Sequence, residues 1–313
     1  MSGKIVTVAC NPSIDKTITV EKLVPFGLNR VLGARLDPGG KGINVAKVIK
    51  GFGEDVTVTG FIAGSQGRRL EGFLQDAGIP CDFLEIAGET RTNLKIIDKS
   101  VNKTTEINEA GSPVSAEELS RFEEKYGALL QGASLVVLSG SLPPGLPAAF
   151  YARCIRTAKQ AGVKPLLDAD GEAFTEGLKA APYAVKPNIH ELEAFCGRSL
   201  KDVDDVVRAA REILAQGVEI VIVSMGPDGA VVVNPREAYK VDSWDIRVQS
   251  PIGAGDSMVG ALARSILHGA SLEEIARITT AAGTITASKA GTELCTGDEV
   301  LASMRFATLH PVG

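Results

Sequence analysis

Short apolar runs alternate with helical patterns along most of the chain. Lys4–Ala9 and Val56–Ala63 are strand-length apolar segments, and Ile43–Phe52 between them repeats its apolar residues at helical spacing. Arg68–Ala77 puts Leu70, Phe73, Leu74 and Ala77 on one helical face. The capping-box spacing Ser115-x-x-Glu118 opens a longer helix that carries Leu119, Phe122, Tyr126, Leu129 and Leu130. Leu135–Leu138 predicts a buried strand, followed by a helix through Lys159 and by the strands Lys164–Leu167, Tyr183–Val185 and Glu219–Val223. Near-continuous apolar strands alternating with helices predict an α/β fold, its sheet parallel and covered on both faces.

Two regions break this pattern. Thr17–Val20 and Asn29–Leu36 alternate polar and apolar positions, and so do Thr92–Asp98 and Thr104–Asn108. Such alternation marks half-exposed strands, here a small separate sheet whose one face needs cover. A lid over a ligand, the matching sheet of a second copy and an ordinary surface hairpin all satisfy it. No internal repeat, linker or low-complexity stretch is present.

Composition changes the picture in one respect. Glycine supplies 34 of 313 residues, against a usual level of roughly 7 %. Aromatic residues are few, so the core is built from Ala, Val, Ile and Leu. The net charge of −5 is interspersed with no run of five like charges, which leaves a nucleic-acid arm or a polybasic membrane patch without support. The longest apolar runs fall far short of the ~18 residues of a membrane span, and Asn11 and Pro12 arrive too early for a signal-peptide core. Cys10, Cys81, Cys154, Cys196 and Cys295 form no C-x-x-C and read as free thiols of a cytoplasmic protein. Three histidines exclude a His-rich metal centre.

The sharpest chemical signal is Ser250-Pro-Ile-Gly-Ala-Gly-Asp-Ser-Met-Val-Gly260, ahead of the helical stretch Ala261–His268. Gly253 and Gly255 stand where a loop turns into a helix. Glycine there lets successive N–H groups converge, and the helix N-terminus adds positive potential, which suits a phosphate. Asp256 falls on the first helical turn, facing the same point. Alone it would be a helix cap. Beside phosphate a carboxylate is unfavourable unless it has a task such as accepting a hydroxyl proton, and the flanking glycines favour that reading.

Four further segments carry polar groups at strand ends. Lys186-Pro-Asn-Ile-His-Glu191 has the capping-box spacing Asn188-x-x-Glu191, and the same pair could hold a hydrated Mg²⁺ near phosphates; His190 reads as a bystander. Ser224-Met-Gly-Pro-Asp-Gly229 is a hairpin turn or a loop that lets a nucleotide approach the backbone. Pro38-Gly-Gly-Lys-Gly-Ile-Asn44 holds more glycine than a cap needs and offers Lys41 and Asn44 as polar contacts. Ser139-Gly-Ser-Leu-Pro-Pro-Gly145 follows a buried strand, where sheet ligands bind. The P-loop, dinucleotide, protein-kinase and G-x-S-x-G signatures are all missing. A phosphate-handling enzyme outside those classes remains.

Taken together, the chain resembles the ribokinase-like (PfkB) sugar kinases, and within them the phosphosugar kinases. The resemblance runs essentially end to end through Asn11-Pro-Ser-Ile-Asp15, Gly39-Gly-Lys-Gly-Ile-Asn44, Thr90-Arg-Thr-Asn93, Ser139-Gly-Ser-Leu-Pro-Pro-Gly145, Val185-Lys-Pro-Asn188 with Glu191, and Gly253-Ala-Gly-Asp256. It implies one kinase domain over 1–313, a three-layer α/β/α fold with a mostly parallel central sheet and a small β-sheet lid from about 13–36 and 89–109. It implies ATP and Mg²⁺, with Asp256 as the base and Gly253, Ala254 and Gly255 as the anion hole. Lys186, Asn188, Ser224, Gly226, Asp228 and Gly229 match nucleotide-binding positions, and Asn188 and Glu191 match those that position Mg²⁺ through water. Asp15, Gly40, Lys41 and Asn44 match sugar-binding positions, Arg91 a phosphate-binding arginine of the lid, with Ser139 nearby. Ser250 and Ile252 would offer carbonyls to a monovalent cation such as K⁺, although Lys289 and Glu293 depart from the family's cation loop.

The implied reaction is ATP-dependent phosphorylation of fructose 1-phosphate to fructose 1,6-bisphosphate, in a homodimer joined through the lid. Thr105-Glu-Ile-Asn108 and Leu178-Lys-Ala-Ala-Pro182 favour that substrate, whereas Ala290-Gly-Thr-Glu-Leu-Cys295 looks more like a 6-phosphofructokinase. Fructose 6-phosphate and tagatose 6-phosphate are the alternatives. A non-catalytic sensor on the same scaffold is disfavoured by the retained Asp256, and a nicotinamide-dependent reductase by the missing fingerprint.

Overall fold

The computed structural model describes residues 3–313. Ten strands form the central sheet. From one edge they run Thr308–Pro311, Ala238–Asp242, Ala230–Val233, Ile220–Ser224, Ala184–Val185, Lys164–Asp168, Ala133–Ser139, Lys4–Ala9, Val56–Ala63 and Leu84–Ile86. From Ile220–Ser224 onward every pairing is parallel; the first three strands join by antiparallel pairings. Leu135 and Val137 face one core, Val136 and Leu138 the other. Burial on both faces is why these strands read as unbroken apolar runs.

Helices Lys41–Gly51 and Ala254–Leu267 cover one face through Ile43, Val45, Val259 and Leu262. Helices Ala116–Leu129, Phe150–Gln160 and Val203–Leu214 cover the other through Phe122, Tyr126, Phe150, Ala209 and Ile213. The capping box at Ser115 forms as its spacing predicts. The helix expected from Arg68 begins earlier, at Gly64. The Glu89 carboxylate accepts from the Gln66 N–H there and so caps the helix from outside its own sequence.

Helix Leu272–Ala287 has no counterpart in the sequence reading. Glu273, Glu274 and Arg277 give it a polar side only at its start; every residue from Ile278 to Thr286 is buried, so the stripe does not continue. Its threonines are accommodated by back-bonding, Thr279 Oγ1 donating to Ile275 O at 2.7 Å and Thr284 Oγ1 to Thr280 O at 2.8 Å.

The four alternating segments form the separate sheet they predict, in the order Val31–Gly39, Ser13–Val20, Arg91–Asp98, Lys103–Ile107. Its register places Arg35, Thr17, Lys95 and Glu106 in one transverse row, and Asp37, Asp15 and Asn93 in the next. These residues share a polar face. Leu36, Ile18, Leu94, Ile96 and Ile107 point to the opposite side.

Helices Lys41–Gly51 and Ala254–Leu267 approach closely at Gly260. A Cβ on Gly260 would stand 2.6 Å from Val48 Cγ1 and 3.3 Å from Val45 O. Gly260→Val is therefore expected to destabilise the protein by about 1–3 kcal/mol through overpacking, read as a lowered midpoint in denaturant unfolding; an unchanged midpoint would show that the two helices can part freely.

Candidate active site

The strands Lys4–Ala9, Ala133–Ser139, Lys164–Asp168 and Ile220–Ser224 end on one rim of the parallel sheet, where side chains of successive loops converge. Helix Ala254–Leu267 starts on the same rim. Its N-cap is Gly253 at φ 80°, a left-handed conformation that glycine adopts without strain. Among the described residues the N–H groups of Gly253, Gly255 and Asp256 have no acceptor, whereas that of Ala254 reaches Pro251 O at 3.3 Å. Lys186 Nζ lies against the same turn, 3.2 Å from where a Cβ on Gly255 would be. Unused donors, a helix N-terminus and an ammonium group together suit an anion.

Asp256 is buried on the first turn and does not cap the helix. Its Oδ2 accepts a 2.8 Å hydrogen bond from Asn44 Nδ2, which comes from helix Lys41–Gly51 on the other side of the site. Burial, and after it the charge of Asp168, push the Asp256 carboxyl up to about 6, against the pull of Asn44, Lys41 and Lys186. Asp168, also buried, behaves in the opposite sense. Burial opposes its ionisation, but Lys186, Lys41 and the Ser139 hydroxyl together hold it below the usual carboxylate range. Asp168 in turn raises the Lys41 ammonium, outweighing burial. Two carboxylates with pKa values driven apart divide the roles: one stays ionised, the other can take a proton near neutrality.

Two cavities meet at Lys41 and Asp256. The larger, about 950 Å³, is charged at one end, with Lys186, Asp168, Glu191 and Gly255, and apolar at the other, with Trp244, Ile246 and Val248. The smaller, about 390 Å³, is lined by Asn11, Gly40, Asn44, Arg91, Ser139 and Gly253 and roofed by Asn93 and Glu106 of the small sheet. A long polar-to-apolar cleft and a compact polar one thus open on the two sides of a single carboxylate.

Most of the residues singled out in the sequence lie on these walls. Lys186, Asn188, Ser224, Gly226 and Gly229 line the larger cavity with Ala254 and Gly255; Gly40, Lys41, Asn44, Arg91, Ser139, Ile252 and Gly253 line the smaller. Asp228 does not: it sits on the outer side of its turn, its carbonyl accepting from Lys240 Nζ at 2.5 Å. Asp15 also lies off the walls, buried behind Asn93. Its Oδ2 is paired with Lys95 Nζ at 2.7 Å and its Oδ1 accepts from Ser13 Oγ at 2.8 Å. The Ser250 hydroxyl donates to Gly291 O at 2.7 Å, which leaves its own carbonyl uncommitted among the described residues.

Asn188 and Glu191 form the capping box that their spacing predicts, with hydrogen bonds of 2.9 and 2.8 Å. Arg91 donates from Nε and Nη2 to Asn11 O and from Nη1 to Glu109 O, all within 3.0 Å. Two of its five N–H groups remain for a ligand. Ser139 Oγ donates to Asp168 Oδ2 at 3.1 Å, which brings that pair to the same rim.

Asp168 and Lys95 are the functional-looking residues that the sequence reading missed. Each carried a signal: a carboxylate closing the apolar strand Lys164–Asp168, and a lysine at an inward position of an alternating strand. Asp168 Oδ1 is buried without a hydrogen bond, because Lys186 Nζ at 3.4 Å is within ion-pair range but beyond hydrogen-bond geometry.

Comparison with known proteins supplies the family. Residues 8–298 match the pfkB family carbohydrate kinases. The chain is 39% identical over 286 residues to the 1-phosphofructokinase of Xanthomonas campestris pv. campestris, covering 90% of each, and 37% identical over 282 residues to that of Rhodobacter capsulatus, covering 90% of this chain and 89% of the relative. Among solved structures it is similar to phosphofructokinase-2 from Escherichia coli in complex with potassium, with a TM-score of 0.92 at 33% identity over 97% of this chain and 99% of the other. With that match spanning both cavities and the helix turn between them, the chain belongs to the pfkB family of carbohydrate kinases.

Proposed function

We propose that the protein transfers the γ-phosphoryl group of ATP to the free primary hydroxyl of fructose 1-phosphate, giving fructose 1,6-bisphosphate and ADP. One observation carries this reading. Asp256 stands where the two cavities meet, with sugar-side Asn44 on its carboxylate and unused N–H donors of its own helix turn beside it. The larger cavity suits a nucleotide, its phosphates toward Lys186 and Gly255 and its base toward Trp244. The smaller suits a phosphosugar whose phosphate meets Arg91. The identity to two 1-phosphofructokinases supports fructose 1-phosphate over fructose 6-phosphate and tagatose 6-phosphate.

Asp256 accepts the proton of the acceptor hydroxyl as its oxygen bonds to the γ-phosphorus and the bond to the ADP oxygen breaks. The N–H groups of Gly253 and Gly255 and the Lys186 ammonium stabilise charge on the migrating group. The residues present fit Mg²⁺: the Asp168 carboxylate, whose Oδ1 has an ion-pair partner in Lys186 but no hydrogen bond, and the Glu191 carboxylate line the charged end of the nucleotide cavity, and Mg²⁺ favours one or two carboxylates completed by phosphates and water. Asn188, Glu191 and Asp168 would hold it there, where a divalent ion neutralises phosphate charge. The carbonyls of Ser250 and Ile252 accept no hydrogen bond among the described residues and remain candidates for K⁺.

On this reading residues 1–313 form one kinase domain, with 13–36 and 89–109 as its lid. The polar face of the lid closes over the sugar cavity, and its apolar face, where Ile107 and Leu32 are exposed, joins a second copy. No helix among the described residues is long and apolar enough to cross a membrane. The five free cysteines support a cytoplasmic location.

An ATP-coupled assay should rank kcat/KM for fructose 1-phosphate above fructose 6-phosphate, tagatose 6-phosphate and unphosphorylated fructose; a preference for any of the other three overturns the substrate assignment. Asp256→Asn should bind ATP yet lose nearly all turnover. The same variant should be more stable at pH 8. With the native carboxyl raised to about 6 and the unfolded group ionising near 3.9, the cost to stability builds between those two values and is complete above the higher one. A gain in Tm on the order of a few degrees at pH 8 should therefore vanish near pH 4. The wild-type kcat/KM should fall as pH drops through about 6, where the base becomes protonated. Asn44→Leu, which removes a hydrogen bond favouring the carboxylate, should move that acid limb to higher pH; an unmoved limb assigns it to another group.

A further inference from the structure

The segment between helix Leu272–Ala287 and Cys295 packs on the anion hole from below. Leu294 is seated against Gly253, since a Cβ there would be 2.6 Å from Leu294 Cδ2. Three residues earlier, Gly291 O accepts from Ser250 Oγ at 2.7 Å, and that same hydroxyl receives the Ile252 N–H at 3.3 Å. The residues on which Gly253 rests are thus held by this loop at two points. The far end of the loop is pinned as well, the Cys295 N–H donating to Thr286 Oγ1 at 3.0 Å.

Between those points stands Thr292, and what holds it is the lid. Arg35 Nη2 donates to Thr292 Oγ1 at 2.8 Å, Arg35 Nε donates to Asp37 Oδ2 at 2.7 Å, and Thr292 Oγ1 donates to the same carboxylate oxygen at 3.2 Å. The result is a closed triangle of hydrogen bonds between positions more than 250 residues apart in sequence. The guanidinium also lies on Gly291, where a Cβ would be 3.3 Å from Nη2. Arg35 and Asp37 belong to the lid strand Val31–Gly39, which runs directly into Gly40, Lys41 and Asn44 on the sugar side.

We infer that Arg35, Asp37 and Thr292 form a latch that positions the anion hole from the lid, so that one strand sets both the sugar-side contact to Asp256 and the loop beneath Gly253. This rests on the kinase reading above. None of the three residues needs to touch substrate; they are positioning residues. Their effect falls on phosphoryl transfer because the N–H donors at Gly253 and Gly255 act on charge that develops in the transition state, where small displacements are costly.

Arg35→Met and Thr292→Val test it. Each should lower kcat about tenfold or more while KM for ATP stays unchanged. Thr292→Ser, which keeps the hydroxyl, should restore kcat. The double variant should be no worse than the poorer single one, as expected of residues that act as a unit. Arg35 is more than half exposed in its side chain, so Arg35→Met should fold, and Tm measured alongside checks this. A wild-type kcat in folded Arg35→Met overturns the inference, as does a loss that appears in KM for ATP instead, that Thr292→Ser fails to restore, or that simply adds in the double variant. A wild-type protein with no turnover on any phosphosugar would overturn the kinase reading instead.

Discussion

In the proposed reaction everything depends on keeping one buried carboxylate usable next to a helix turn that suits anions. Asp256 sits on the positive end of a helix, which favours its charge, and in a dry interior beside Asp168, which opposes it. Neither influence alone would serve. A carboxylate fully stabilised by the helix end and two lysines would be too weak a base, and one only buried would stay protonated. Asn44 trims the balance with a single neutral donor.

The surrounding charges are arranged to serve that balance without neutralising it. Asp168 pairs with Lys186 directly and, through its charge alone, raises Lys41, so both ammonium groups stand in the field of one carboxylate. Incoming phosphate oxygens would compete with Asp168 for cations that are pre-placed, and little reorganisation is required. The sugar side is organised differently. Arg91, the lid arginine on the wall of the smaller cavity, is fixed on backbone carbonyls of Asn11 and Glu109, which orient the guanidinium without cancelling its charge.

How much of this was legible in the sequence depended on the kind of constraint each residue obeys. The parallel strands were plain because burial on both faces leaves runs such as Leu135–Leu138 unbroken. The turn that opens helix Ala254–Leu267 was plain because Gly253 needs a conformation that other residues resist. Helix Leu272–Ala287 was hidden by the burial of its second half, since a segment packed all round from Ile278 to Thr286 loses the polar stripe that would betray it. Asn188 and Glu191 stayed ambiguous because one geometry satisfies a cap and leaves the same carboxylate on the cavity wall. The setting of Asp15 was hidden for a subtler reason. Its position on the polar face could be read from alternation, but its engagement by Lys95 depends on register between strands far apart in sequence.

The small sheet shows what such register demands. Its polar side roofs a cavity through Asn93 and Glu106, while its other side presents Leu94, Ile96 and Ile107. Both sets belong to the same strands and are separated by a single backbone layer. A one-residue insertion within any of these strands would exchange its two sides downstream, and one ahead of Asp15 in Ser13–Val20 or of Lys95 in Arg91–Asp98 would part that ion pair. Length variation in this part of the molecule must therefore concentrate in the turns, at 21–30 and 99–102, where an added residue lengthens a loop and leaves the inside and outside of the sheet as they were.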